Sequence, residues 1–202
     1  MTNADPTSQQ AMGRPSVRPQ IVQAGLRVFL RGGFSASSVQ DITEEAGVPK
    51  GSFYNHFASK EALGAEIVDL YAEGGGLREM LKDSSVPPLE RLRRYYAKLT
   101  KMYRKLEFAQ GCLLGNFSAE VSDEVPLVRD RLLALYRRWT DEIAEVIAEA
   151  QALGQVSAEM PAPELAAFLL DAYEGAVLRA RVEQDAAPLT RFQTVLFERL
   201  LR

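Results

Sequence analysis

The chain has 202 residues, 47% of them hydrophobic, with 24 Lys and Arg against 27 Asp and Glu, a single His and a single Cys. That length buries a core for one or two domains; the lone Cys112 excludes an intrachain disulfide or a zinc site built on a cysteine pair, and no apolar run approaches the ~18 residues of a membrane span. A net charge of −3 speaks, on composition alone, against a nucleic-acid binder.

Residues 1–16 are rich in Thr, Ser, Asn, Gln and Pro and read as a disordered arm. The opening MTNADPTSQQAM has neither the charged start nor the apolar middle of a secretory signal, so a soluble cytoplasmic protein is expected. From Arg18 to Arg31, Ile21, Val22, Gly25, Val28 and Phe29 follow the spacing of a one-sided helix, which Gly32 and Gly33 end. Ser38 opens a second helix through a capping box with Asp41; Val39, Ile42 and Ala46 face inward, and Gly47 ends it. Pro49 suits the start of a third helix of barely two turns, KGSFYNHF. Ser59 caps a fourth, running through Leu63, Ile67 and Leu70 toward Tyr71, with the glycines at 74–76 as a break. Further helices are expected at 87–106, 108–122, 126–153, 162–183 and 188–201, punctuated by Pro87, Pro88, Pro126, Pro161, Pro163 and Pro188. No alternating run of strand length and no hairpin turn signal interrupts them. The expected fold class is all-α.

Charge divides the chain. From Gly13 to Leu63 six bases stand against four acids, a balance of +2, whereas from Gly64 onward 18 bases meet 22 acids, a balance of −4. A basic head on an acidic body suits a small anion-binding module joined to a different one. In that head, short helices at about 38–46 and 50–57 joined by GVPK have the helix-turn-helix arrangement, whose second helix projects its first residues into a major groove. Gly51 leaves room for DNA, and Lys50 and Ser52 reach base edges. Tyr54, His56 and Lys60 carry donors suited to phosphate oxygens. Phe53 and Phe57, four apart, hold the short helix against the core.

The stretch GFSASSVQDITEEAGVPKGSFYNHFASKEAL, residues 33–63, resembles the DNA-binding domain of the TetR family of bacterial transcriptional regulators, and the upstream IVQAGLRVFLRGGF resembles that family's first helix. Small departures are Gly25 and Thr43, where Ala is usual, and Pro49, where Ser is common; Pro49 removes a backbone donor. The resemblance implies a three-helix head at 17–63 and an all-α ligand-binding and dimerisation body at 64–202. It further implies a homodimer that reads a palindromic DNA operator and is released by a small-molecule effector: a ligand-responsive repressor. The residues expected at DNA are Arg14, Ser38, Lys50, Gly51, Ser52, Tyr54, Asn55, His56 and Lys60.

In the body, PAPELAAFLLDAYEGAVLRARVE and PLTRFQTVLFERLLR carry wide apolar faces. An intramolecular core explains them as well as an interface does; the family resemblance tips them toward an intersubunit four-helix bundle using Phe168, Ala172, Gly175, Ala176, Phe192, Val195 and Leu196. The segment FAQGCLLGNFSAEVSDEVPLVRDRL resembles a motif in one branch of the family, with Gly-Cys-Leu-Leu-Gly-Asn at its centre, some of whose members answer to electrophilic or unsaturated molecules. A Cys112 thiolate could add to such a molecule if a helix N-terminus after Gly111, or Lys105 or Arg104, lowered its pKa; the alternative is a small buried apolar residue. A noncovalent pocket would draw on Tyr96, Leu99, Met102, Tyr103, Cys112, Asn116, Trp139 and Tyr173, about half of which should line a cavity.

An enzyme is not expected. The one His has no nucleophile partner nearby, PKGS lacks the spacing of a phosphate loop, and Glu120, Asp123 and Glu124 read as a solvated helix face and loop. Neither a metal nor a cofactor is expected. The remaining alternative is a helical protein-interaction adaptor without DNA binding, which would leave Lys50, Ser52, Tyr54 and His56 without a shared target.

Overall fold

A computed structural model describes residues 16–73, 76–121 and 125–202, and within them every regular element is helical. All but Ser16 of the expected arm lies outside the described residues, and so do Arg14, Gly74, Gly75, Asp123 and Glu124.

Three helices make the head. Helix α1 (Arg18–Gly32) carries a proline in its first turn, where a missing N–H leaves no bond unmade, and buries Ile21, Val22, Val28 and Phe29. It ends at Gly33, whose φ of +84° lies where a side chain is disfavoured. Helix α2 (Val39–Ala46) begins at the predicted capping box: the Asp41 N–H donates to Ser38 Oγ, and the Ser38 N–H donates to the Asp41 carboxylate at 2.8 Å. Gly47, at φ +66°, turns the chain into Pro49 and α3 (Lys50–Tyr54). That helix is shorter than the eight residues read from the pattern, since Asn55 and His56 form a turn. Phe53 and Phe57 are both buried, with ring centroids 5.6 Å apart, and anchor α3 from below.

The long α4 (Lys60–Glu73) passes residue 63 unbroken and packs on both α1 and the body's α8 (Pro126–Ala152). After it come α5 (Glu79–Lys82), which the pattern did not suggest, α6 (Pro88–Lys105), α7 (Leu113–Glu120), α9 (Ala162–Glu183) and α10 (Ala187–Val195), the last running into a π-helical turn at Leu196–Leu200. Helix α7 starts five residues later than expected. Glu107 and Phe108 adopt left-handed conformations, φ 49° and 55°, that end α6; Cys112 is extended, φ −69° and ψ 131°, as the N-cap of α7.

Besides α4, one short helix joins head to body. On α7, Phe117 is fully buried, with its ring 5.5 Å from that of Phe29 and 5.2 Å from that of Phe34. Two of those rings belong to the head and one to the body, so their mutual burial adds a second apolar bond between the modules to the packing of α4 on α8. Truncating Phe117→Ala leaves a cavity there and should cost about 3–5 kcal/mol of folding stability, read as a fall in the urea midpoint of the full-length protein.

Candidate functional site

The exposed surface of α3 is assembled by constraints on either side of it. Gly47 and Pro49 set the turn, and the two phenylalanines fix which face points out. Lys50, Gly51, Tyr54 and Asn55 are exposed, with Tyr54 57% accessible, while Ser52 and His56 are half-buried. Nothing lies within 4 Å of where a Gly51 Cβ would stand, so the backbone there is open to close approach. Ser38 and Lys60 carry structural duties besides. The Ser38 hydroxyl donates to Asp41 Oδ2 at 2.7 Å. Lys60 Nζ donates to the carbonyls of Phe34 and Ser37 at 2.8 and 2.9 Å and sits 4.4 Å from the Phe34 ring centre. Two of its three N–H groups are therefore engaged within the head, leaving one for a phosphate.

The α1–α2 turn is held from the body as well. The Ser35 N–H donates to Glu120 Oε2 at 2.7 Å, and a Cβ at Gly33 would run into the same carboxylate. Glu120 read from the sequence as part of a solvated face; it is instead a tether between the end of α7 and the head.

At its other end α7 borders a cavity of about 280 Å³ between α4, α6, α8 and α9. Six of the eight expected residues line it: Leu99, Met102, Tyr103, Cys112, Trp139 and Tyr173. Tyr96 does not; it is packed behind the wall against Tyr95, Tyr173 and Phe192. Asn116 does not either, because it lies one turn along α7 from Cys112 and accepts a 3.4 Å bond from Arg181. Tyr71, Ala72, Leu77, Arg78, Tyr95, Leu114 and Leu135 complete the lining. Sequence reading missed them because helical periodicity marks an inward face without showing which inward residues meet at one cavity.

The wall is apolar with a few polar atoms set into it. The Tyr173 hydroxyl is buried without a hydrogen-bond partner, and a buried polar group in that state is costly unless something pairs with it; Trp139 Nε1 stands against the Tyr95 hydroxyl. Burial pushes the Tyr71, Tyr95, Tyr103 and Tyr173 phenols well above their usual range, so they remain neutral O–H groups. Arg78 at the margin donates to the Ala72 carbonyl and faces Glu142 Oε2 at 3.5 Å, which offsets its charge.

Cys112 takes the second of its two readings, a small buried residue. It stands at the N-cap of α7, yet its thiol is pushed up, not down: burial first, then the negative charge of Glu174, outweigh what the helix N-terminus supplies. Arg104 and Lys105 are exposed on the last turn of α6 and do not reach it. Its sulfur receives instead a long 3.9 Å contact from the Tyr71 hydroxyl. Glu174 was not singled out from the sequence, although a carboxylate beside Tyr173 and Gly175 in the apolar run LLDAYEGAVL was a signal. Its carboxylate is buried with the Cys112 thiol as its hydrogen-bonding neighbour, and burial raises its pKa to about 7.

The outer faces of α9 and α10 form a shallow apolar groove that includes all seven residues expected at an interface. Phe168 and Val195 are 52% and 45% exposed, whereas Leu196 is fully buried and forms the groove's floor. Nothing stands within 4 Å of a Cβ at Gly175, so the α9 backbone is approachable there. Among the described residues no helix is long and apolar enough to cross a membrane.

Comparison with known proteins agrees with this geometry. The family model described as "Bacterial regulatory proteins, tetR family" matches residues 21–67, and that of the "Tetracyclin repressor-like, C-terminal domain" matches residues 88–196. The HTH-type transcriptional repressor DhaR of Mycobacterium sp. (strain GP1) is 42% identical over 192 residues, covering 94% of this chain and 95% of that protein. The transcriptional regulator AcuR of Cereibacter sphaeroides is 32% identical over 203 residues, 95% of this chain and 93% of AcuR. The crystal structure of a regulatory protein TetR from Rhodobacter sphaeroides superposes with a TM-score of 0.82 at 32% identity, covering 91% of this chain and 97% of that one.

The buried carboxyl makes stability depend on pH. A Glu174 pKa near 7 in the folded state, against 4.5 for the ordinary side chain, means the folded protein holds a proton that the unfolded chain releases. Stability from this group is complete below about pH 4.5 and is lost as pH rises through about 7, by on the order of 3 kcal/mol. Glu174→Gln should therefore gain urea resistance relative to the parent at pH 8, with the gap narrowing toward pH 5.

Proposed function

The chain belongs to the TetR family of bacterial regulatory proteins and is a DNA-binding transcriptional regulator, not an enzyme; from that premise we propose a homodimeric repressor that a small molecule releases from a palindromic operator. Family membership removes the adaptor reading, and the name of DhaR as a repressor supports repression here. The single observation that carries the ligand response is the double attachment of α7. Its N-terminus borders the cavity at Cys112 and Leu114, and its C-terminus is hydrogen-bonded to the α1–α2 turn through Glu120. A molecule that prefers one setting of α7 shifts the head's position by its differential affinity for the two states.

We divide the chain accordingly into an arm at 1–16, a DNA-binding head at 17–63 and a ligand-binding and dimerisation body at 64–202. Arg14, Lys50, Gly51, Ser52, Tyr54, Asn55 and His56, with Ser38 and Lys60 in support, are the proposed DNA contacts. Phe168, Ala172, Gly175, Ala176, Phe192, Val195 and Leu196 are the proposed dimer surface, supported by the exposed Phe168 and the open backbone at Gly175. A partner on this groove would cover apolar surface that one subunit leaves in water.

The cavity suits a small, mostly apolar effector carrying one hydrogen-bonding group for the Tyr173 hydroxyl. The Gly-Cys-Leu-Leu-Gly-Asn segment supports the branch whose members answer to electrophilic or unsaturated molecules. The position of Cys112 in the cavity wall favours covalent addition as the second mode of response.

A labelled-DNA shift with the region upstream of the protein's own gene tests the repressor reading; absence of a salt-sensitive, sequence-selective shift would overturn it. In that assay Lys50→Ala should change discrimination among operator variants by about 1–3 kcal/mol for each base that the lysine reads, whereas Tyr54→Phe should weaken all sequences alike. Glu120→Ala should leave operator affinity near that of the parent and blunt the effector's release of DNA. An unchanged release curve for that variant would remove Glu120 from the coupling route.

A further inference from the structure

We propose that Glu174 is the general base for Cys112: its carboxylate takes the thiol proton as the sulfur adds to an electron-poor alkene held in the cavity. This rests on the reading of Cys112 as an effector-reactive thiol. Cys112 lines the cavity, whereas Glu174, on α9, does not. Gly115 makes room for the carboxylate, since a Cβ at 115 would lie 2.6 Å from Glu174 Oε2 and 3.9 Å from Cys112 Cβ. The thiol hydrogen-bonds to that carboxylate, so the sulfur borders the cavity with its proton directed at an acceptor, the arrangement that proton removal during attack requires.

The cavity itself is built to receive a ligand. The Tyr173 hydroxyl, on a residue only 1% exposed, lacks a partner at its lining. It can donate to a carbonyl conjugated with the alkene, drawing electrons away from its β-carbon.

The step balances without an oxidant. Sulfur forms a bond to the β-carbon, the thiol proton passes to Glu174, and the π pair of the alkene moves toward the carbonyl oxygen as an enolate. The enolate then takes a proton from water at its α-carbon, and the protonated Glu174 returns its own to solvent. The product is a neutral thioether. Its bulk sits at the N-cap of α7, where a shift is carried to the α1–α2 turn.

The titratable groups that face Glu174 are Tyr71 from α4, Tyr103 from α6, Cys112, Tyr136 from α8 and its neighbour Tyr173, and none of these supplies a cation. Burial holds Glu174 near pH 7 and the thiol far above it. A carboxylate half-ionised at neutral pH can therefore act where a free thiolate is scarce.

Removing Glu174 separates two effects of opposite sign. Were it only a negative neighbour that suppresses thiolate, Glu174→Gln would react faster; as a base, its loss slows the reaction. The test measures acrylamide addition to the full-length protein by intact mass, from about pH 6 to about pH 9, with Cys112→Ser as background. The parent's rate should rise with a midpoint near pH 7, and Glu174→Gln should be slower by on the order of 100-fold at pH 8, gaining only as the solution turns alkaline. A Glu174→Gln rate equal to or above the parent's, or a parent profile with a single rise in the thiol range, overturns the base. A parent that takes no label when folded but labels in urea overturns the reactive-thiol reading itself.

Discussion

Alongside the packing of α4 on α8, a three-ring contact ties the chain's two modules together. Phe29 and Phe34 belong to the head and Phe117 to the body, and their rings stand 5.2–5.5 Å apart around one point. Because Phe117 lies mid-way along an eight-residue helix, α7 cannot move at one end without either rotating about this ring or dragging it. Close-packed aromatic contacts do not deform continuously, so the head has few settings relative to the body. The Glu120 carboxylate on the Ser35 N–H adds direction to a contact that is otherwise only apolar.

Around the cavity the governing quantity is the cost of leaving polar atoms unpaired. The tyrosines stay neutral there, Arg78 is matched by Glu142, and the thiol is kept protonated. Glu174 is the exception, a buried acid whose carboxylate has only the weak S–H donor of Cys112 beside it. Such a group lowers stability at neutral pH, and its retention beside the one thiol of the chain is the reason to read it as chemistry and not packing.

Features carried by neighbouring residues were legible in the sequence. The Ser38–Asp41 box, the stops at Gly33 and Gly47, and the α6 stripe that brings Leu99, Met102 and Tyr103 to one face all follow from spacings of three or four residues. Features made by distant residues were not. Ser35 and Glu120 are 85 positions apart, and nothing local marks either as the other's partner. Tyr96 shares the α6 pattern with Tyr103 yet turns toward Phe192, because periodicity identifies an inward face but not which of two inner neighbours it meets. For Cys112 the sequence left two readings open, an acidic thiol at a helix start and a small buried residue, and desolvation proved the larger effect.

Gly33 shows what this wiring means for inheritance. The residues proposed to read an operator sit on α3, those proposed to hold an effector line the bundle, and between them lies a glycine whose Cβ would meet the Glu120 carboxylate. On the proposed coupling, lineages could rewrite either the operator or the inducer by drifting at one end alone, with the relay left intact. On the same proposal a lesion at position 33 does the reverse: a regulator still able to find its site and still able to take up its signal, but deaf.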